Sequence, residues 1–160
     1  MTMVGRAVET VALPEAVVVL PLGLVAGVVA TVGMDVVMRF LPEGSTPPGV
    51  AAGVLTRTPP DESNERIAGF VHYSAGAGTG VLLAWLLLVA RAVTGSRTVA
   101  AVGAGAALYA LMVGFFATVP LPVSDCEDDR KPAVLRDWSV CAAVYTLVAV
   151  PVLVLLTVFV

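Results

Sequence analysis

The sequence predicts an all-α, polytopic membrane protein with four transmembrane helices in one up-down bundle and a structured first loop. Of its 160 residues, 58% are hydrophobic and 13% are charged, whereas soluble domains are about 45–50% apolar and about 25% charged. The charges also leave four uncharged runs of 19 to 27 residues. Each run is long enough to cross a hydrocarbon layer about 30 Å thick. We therefore expect residues 1–160 to form a single integral membrane domain.

Helix 1 is predicted over about 14–40, because Pro14 suits a first helical turn and the first apolar run ends near Phe40. The segment before it has a thin positive region and no clear cleavage site, so we expect a retained helix rather than a cleaved signal peptide. Loop 1 follows over about 41–58 and is rich in glycine and proline, yet its middle is apolar over 50–55. That apolar stretch predicts a segment that lies on the membrane surface or enters it as a short helix.

The other three helices are predicted at about 59–91, 98–119 and 132–160. For helix 2, Thr58 has the character of an N-terminal cap, and two prolines and two acids follow it in the first turn. Only six residues connect helices 2 and 3, so these helices should be antiparallel neighbours. Helix 3 should stop at Pro120, and helix 4 should carry Arg136 and Asp137 at the membrane surface and a kink at Pro151.

Small residues recur every three to four positions in the first two spans, and each stripe includes one ionisable side chain. The first stripe is Gly23, Gly27, Thr31 and Asp35, and the second is Gly69, His72, Gly76 and Gly80. Small residues at this spacing let two helix backbones approach closely in lipid, where packing replaces the hydrophobic effect. The glycines are therefore predicted to be helix-packing residues.

Asp35 and His72 are the strongest candidates for a polar site inside the membrane. Each lies five residues inside the end of its span, so in an antiparallel hairpin both sit about 8 Å deep and face each other. A carboxylate beside an imidazole can relay protons or hold an ion. The alternative is structural: Asp35 can pair with Arg39 one turn on, and His72 can hydrogen-bond a neighbour such as Thr31. Near-interface polar groups are cheaper than those at the membrane centre.

The two cysteines leave two interpretations open. Cys126 lies in the acidic loop before helix 4, and Cys141 lies about one turn past Trp138, toward the same side of the membrane. They can form a disulfide if that side is oxidising, or remain buried free thiols. They form no CxxC motif, which disfavours a membrane thiol oxidoreductase. The acidic loop lacks the spacing of a calcium site, and the sequence predicts no metal, no cofactor and no catalytic residue.

Three classes of function are compatible with these features. The first is a structural or accessory component that packs through glycine-rich faces against itself or a larger membrane complex. The second is a small proton- or ion-coupled transporter or channel that uses Asp35 and His72, and it requires an oligomer because four helices are too thin for a wide pore. The third is a membrane-embedded enzyme that acts on lipid with His72 as a base. All three have the lipid bilayer as a partner, and no basic tract indicates nucleic acid.

The expected location is the cell membrane, with several passes. Four spans place both termini and the turn at 91–97 on one side, and this short turn is purely basic. The opposite side carries more basic residues in total, and the acids in its loops do not settle the orientation, since the rule counts basic residues rather than net charge. Because basic residues in short loops favour the cytoplasm, the termini are predicted to be cytoplasmic.

Overall fold

Every regular element that the computed structural model describes is a helix. The description covers residues 3–158, with side chains over 15–158. In chain order the helices are α1 (Met3–Met38), α2 (Thr46–Thr56), a 3₁₀ helix (Pro60–Glu62), α3 (Glu65–Thr94), α4 (Arg97–Thr118), α5 (Pro120–Val123) and α6 (Lys131–Thr157). Four stretches are long and apolar enough to cross a membrane: Glu15–Met38, Glu65–Thr94, Arg97–Val123 and Lys131–Thr157. The predictions of an all-helical chain and of four potential spans are confirmed.

The predicted start of helix 2 is wrong. Pro60 begins a separate 3₁₀ helix, and Ser63 is extended with ψ of 145°, so that α3 begins only at Glu65. Asn64 is the cap, because its side-chain oxygen accepts hydrogen bonds from the backbone N–H groups of Arg66 and Ile67. Thr58 and the two prolines after it match the sequence pattern of a helix start. Asn64 caps α3 instead, because its side chain accepts two of the backbone N–H groups that have no partner within the first turn.

The other boundaries differ to varying degrees, most of all at the start of the first helix. Helix α1 already begins at Met3, ahead of the predicted residue 14. Helix α4 begins at Arg97 with Ser96 as its cap, within one residue of the prediction. Helix α4 ends at Thr118, within one residue of the predicted end, and Pro120 begins the short helix α5, since proline suits a first helical turn. Helix α6 begins at Lys131, and the predicted end at 160 lies outside the described residues.

Helices α1 and α3 run antiparallel and approach each other through their glycines. A Cβ atom at Gly27 would lie 2.6 Å from the Gly76 carbonyl oxygen and 2.9 Å from the Gly80 Cα, and one at Gly23 would lie 2.5 Å from the Gly80 carbonyl oxygen. One at Gly76 would strike the Thr31 side chain. These four glycines therefore lie at a close backbone approach, as lipid-embedded helix pairs require.

Gly69, the fifth predicted packing glycine, does not belong to this seam. A Cβ atom at Gly69 would meet nothing within 4 Å. In the antiparallel register that sets Asp35 beside His72, Gly69 lies opposite Met38, the last residue of α1. The close approach of the two helices does not extend to this position, so within the described residues Gly69 lacks the helix contact that the sequence predicts.

The remaining helices complete a ring of neighbours. Helix α1 packs against α3 and α6, and α4 packs against the same two helices from the other side. Tyr145 of α6 is buried at the centre of this core and donates a hydrogen bond to the Gly76 carbonyl oxygen at 2.7 Å. A smaller cluster around α2 buries Val50 against Phe116 and Val134. The apolar middle of loop 1 thus belongs to a short helix packed against the bundle, and its position relative to the membrane stays a prediction.

Candidate functional site

The structure brings Asp35 and His72 into contact where the last turns of α1 face the early turns of α3. His72 Nε2 lies 2.7 Å from Asp35 Oδ1, and the Tyr73 hydroxyl donates to Asp35 Oδ2 at 2.5 Å. The His72 side chain is 10% exposed and that of Asp35 is 25% exposed. Both oxygens of the carboxylate are therefore engaged by side chains of α3. The small-residue stripes and the equal depths of the two residues in their spans predict this contact. A functional role for the pair stays a prediction.

The contact leaves one ring nitrogen of His72 free for other chemistry. Since a charged carboxylate is only an acceptor, the Nε2 atom that faces it carries the proton. No described residue forms a hydrogen bond with Nδ1 of His72. In the neutral ring Nδ1 then holds the lone pair, and it can accept a hydrogen bond or a proton while Asp35 stabilises the resulting positive charge. We call Asp35 and His72 the dyad.

The other two polar candidates lie apart from the dyad. Thr31 is buried one turn deeper, and its hydroxyl donates to the Gly27 carbonyl oxygen at 2.8 Å rather than to His72. Arg39 is exposed at the end of α1, and within residues 15–158 no ion pair joins it to Asp35. The structural alternative based on Arg39 is therefore not what the structure contains. Sequence reasoning missed Tyr73, although a tyrosine hydroxyl in an apolar run needs a partner.

A cavity of about 360 Å³ lies beside the dyad, and we call it the dyad cavity. Its walls come from α1, α2, α3, α4 and α6 and are almost wholly apolar, with His72, Thr31 and Thr79 among the few polar members. Leu82 of α3 and Phe115 of α4 line it and are also exposed on the outer surface, Phe115 by 63%. The mouth of the dyad cavity therefore lies between α3 and α4, on the face that a bilayer would cover.

Helix α2 forms the end wall of the dyad cavity through Pro47, Pro48 and Ala51. Ion pairs fix this helix from both of its flanks. Arg130 donates to Glu43 Oε2 at 2.9 Å and to Asp61 Oδ2 at 2.6 Å. The hydrogen bonds from Arg130 first, and from Thr46 second, lower the pKa of Glu43. One arginine thus ties the segments before and after α2 to the loop that precedes α6.

Asp137 supports the same wall, and it is buried within the protein although it lies near the start of α6, which the sequence places at the membrane surface. Its side chain is 1% exposed, while that of Arg136 is 64% exposed. Asp137 Oδ2 accepts the backbone N–H of Glu43 at 2.8 Å, and Oδ1 accepts the Arg136 Nε at 2.8 Å. The buried carboxylate is therefore fully paired, as a charge in this position must be.

The two cysteines are not brought together, and both are free and buried. Cys126 packs in the small cluster around Val50, and burial raises the pKa of its thiol. Cys141 packs instead in the main core beside Tyr145. The disulfide that the sequence allowed is absent because the two side chains belong to different clusters.

The described residues thus offer one candidate site, which combines the dyad with an apolar cavity that reaches the bilayer face. Among these residues, no three histidine, cysteine, aspartate or glutamate side chains are grouped so that they could hold a metal ion. Comparison with protein-family models, with curated proteins and with solved structures finds no match for this chain.

Proposed function

We propose that this protein binds a small, mostly apolar molecule from the membrane in the dyad cavity. His72 hydrogen-bonds the polar end of that molecule or exchanges a proton with it. The observation that carries this proposal is the cavity itself, since its mouth lies on the bilayer face and its inner wall includes an imidazole oriented by a carboxylate. Ligand sites are typically about 300–1,000 Å³, lined by apolar and aromatic groups with a few polar ones.

Energetics favour a functional role for the dyad. An ionisable side chain within a span is costly unless it is paired, and such residues are functional candidates by default. The packing of α1 on α3 is achieved two to three turns away by Gly23, Gly27 and Gly80, where no charge is involved. Replacing the dyad by apolar residues would keep that seam intact, so helix packing alone does not account for a carboxylate and an imidazole here.

The arrangement in the membrane is part of the same proposal. The four spans cross in an up-down bundle, with both termini on the cytoplasmic side of the cell membrane. The antiparallel pairing of α1 with α3 supports the alternation, as does the tight turn at Gly95, whose φ of 65° allows α4 to follow α3 directly. Arg91 and Arg97 flank that turn and support its cytoplasmic location.

The test is to fill the dyad cavity and measure what the protein retains. Ala75 lines the cavity, so Ala75→Phe should displace the bound molecule. Ala110→Phe adds the same ring to the exposed surface of α4, outside the cavity, and is the matched control. Organic extraction of the purified proteins followed by mass spectrometry should show a compound in wild type and in the control that Ala75→Phe lacks. Labelling with an alkyl diazirine should map to the cavity walls in the same two proteins.

His72→Ala tests the polar end separately. It keeps the apolar walls but removes the hydrogen-bonding group, so retention should fall by about fivefold to tenfold, the equivalent of one hydrogen bond of about 1 kcal/mol. Equal retention and equal labelling in wild type and Ala75→Phe would show that the cavity is not a binding site. Chemical conversion of the retained compound, lost in His72→Ala, would extend the proposal to an enzyme that acts on lipid.

A structural or accessory role is the second candidate function. The observation that supports it lies in α4 and not in the glycines of the first two spans, on which the sequence-based hypothesis rests. The glycines of the first two spans are used within the chain, between α1 and α3. Helix α4 instead presents an exposed stripe of small residues, Gly103, Ala107, Ala110 and Gly114. A Cβ atom at either glycine would meet nothing within 4 Å. If this stripe packs on another chain, Gly103→Leu should abolish cross-linking in membranes while Gly78→Leu should not.

Transport of protons or ions is supported by the dyad alone. The backbone contacts of Gly23, Gly27 and Gly80 close the α1–α3 seam deeper in the membrane, so this seam holds no open path below the dyad. Proton flux in proteoliposomes that is lost in both Asp35→Asn and His72→Ala would rank transport above binding. Absence of flux in the wild type would leave the binding proposal in place.

A further inference from the structure

A second cavity, of about 260 Å³, lies at the end of the bundle opposite the dyad, beside the turn between α3 and α4. We call it the turn cavity. Its walls divide by chemistry. The polar part is Arg91, Arg97, Thr98 and Thr157, and the apolar part includes Leu87, Ala101 and Val154. The arginines flank the point where α3 leaves its span and α4 enters the next one, which is the level of the lipid headgroups.

The described side chains give this cavity a single net positive charge. Arg91 Nη1 donates to Glu15 Oε1 at 2.7 Å, so one acid balances one of the two arginines. Arg97 is exposed and has no ion pair or hydrogen bond within residues 15–158. No aspartate or glutamate occurs in the chain between Glu65 and Asp125. Among the described side chains, therefore, no acid occupies the guanidinium of Arg97 or the remaining N–H groups of Arg91.

We infer that the turn cavity binds the phosphate of an anionic lipid headgroup. A phosphodiester carries one negative charge, which matches the net charge of the cavity. The planar guanidinium of arginine presents several N–H donors to phosphate oxygens, and the hydroxyl of Thr98 adds another donor, whereas that of Thr157 donates to the Val154 carbonyl oxygen at 3.0 Å. Basic pockets between membrane helices at the headgroup level are suited to such lipids.

A free phosphate ion and a lipid phosphate would make the same contacts with the arginines. The apolar half of the turn cavity favours the lipid. Leu87, Ala101 and Val154 continue the wall below the arginines, toward the membrane interior. Inorganic phosphate would leave this surface uncovered, whereas the upper part of an acyl chain would bury it. Removal of this apolar surface from contact with water or headgroups is favourable.

The experiment compares lipid retention by the full chain in mixed phosphatidylglycerol and phosphatidylcholine nanodiscs, read by native mass spectrometry. We expect wild type to retain phosphatidylglycerol preferentially, and Arg97→Gln to reduce this preference by about fivefold or more. Arg66→Gln is the matched control, because it removes an exposed arginine from the same chain at the opposite end of α3. It should leave the preference unchanged. Helix content by circular dichroism checks that each variant folds.

Three outcomes would overturn the inference. Wild type without a preference for phosphatidylglycerol would show that the turn cavity does not select an anionic headgroup. Equal losses in Arg97→Gln and Arg66→Gln would assign the preference to the overall charge of the protein. The third outcome is that inorganic phosphate binds the protein in lipid-free detergent, depends on Arg97 in the same way and displaces phosphatidylglycerol. This result would assign the site to free phosphate. None of these outcomes bears on the dyad cavity.

Discussion

One added methyl group at Gly80 should force α1 away from α3. A Cβ atom there would lie 2.6 Å from Gly27 Cα and 2.7 Å from Gly27 N, and still closer to the carbonyl oxygen of Gly23. All three are backbone atoms and cannot rotate aside. Because carbon atoms pack at about 3.5–4.0 Å, Gly80→Ala requires the two helix backbones to separate by about 1 Å.

The size of the effect follows from a comparison with Gly78→Ala. Overpacking of this kind costs about 1–3 kcal/mol. A Cβ atom at Gly78, in the same helix, would meet nothing within 4 Å, so that variant gains only the helix propensity of alanine, up to about 1 kcal/mol. Gly80→Ala gains the same helix propensity, so the two variants should differ by the overpacking cost alone, about 1–3 kcal/mol. For a chain of this length each kcal/mol shifts the midpoint by about 2–4 °C, so we expect Gly80→Ala to unfold about 2–12 °C below Gly78→Ala.

Thermal unfolding in a mild detergent, followed by circular dichroism, measures this difference. The same displacement should loosen the contact between Asp35 and His72, which the α1–α3 register sets. Gly80→Ala should therefore also reduce retention of a molecule in the dyad cavity. Equal midpoints for the two variants would refute the close approach of the helices and, with it, the register on which the dyad depends.

Two further predictions concern the ion pairs around α2. Because the hydrogen bonds from Arg130 lower the pKa of Glu43 below its ordinary value of 4.5, this pair stabilises the protein above that pH and ceases to do so as the pH falls through the lowered value. Arg130→Gln should therefore lower the unfolding midpoint at pH 7 and flatten its decline in acid, and an unchanged acid profile would contradict the pairing. Asp137→Ala should cost about 1–3 kcal/mol in detergent unfolding because the Glu43 N–H loses its buried acceptor, whereas Asp137→Asn keeps an acceptor and should cost less. Equal costs for the two Asp137 variants would show that this hydrogen bond contributes nothing.

The sequence predicts the four spans well because charge is a one-dimensional signal in a membrane protein. Each uncharged run has to end near the first group that cannot enter hydrocarbon, whatever its neighbours are. The dyad is predictable for a related reason, since depth and helical face together give a position in three dimensions. Gly69 lies on the same face as Gly76, but it is opposite the last residue of α1, and sequence periodicity does not show how far along the two helices their close approach extends.

The features that the sequence did not predict depend on contacts between distant segments. Tyr73 and His72 are adjacent in the chain, yet only the position of α1 decides that both reach Asp35. The sequence indicates that Asp137 is a charge at the start of a span. It is buried because loop 1 packs against it, and the backbone N–H of Glu43 in that loop donates a hydrogen bond to its carboxylate. The cavities have no sequence signature, because they are the spaces that remain once five helices are placed.

The position of loop 1 links the ion pairs to the candidate site. Helix α2 supplies the end wall of the dyad cavity, and Arg130 holds the segments on both sides of it through Glu43 and Asp61. Val50 anchors the same helix in the apolar cluster beneath it. A mobile, solvated loop would leave the cavity open to water, where the contact of His72 with Asp35 would be weaker. The packed loop instead keeps the cavity apolar, so the ligand that we propose would enter between α3 and α4, on the face that a bilayer would cover.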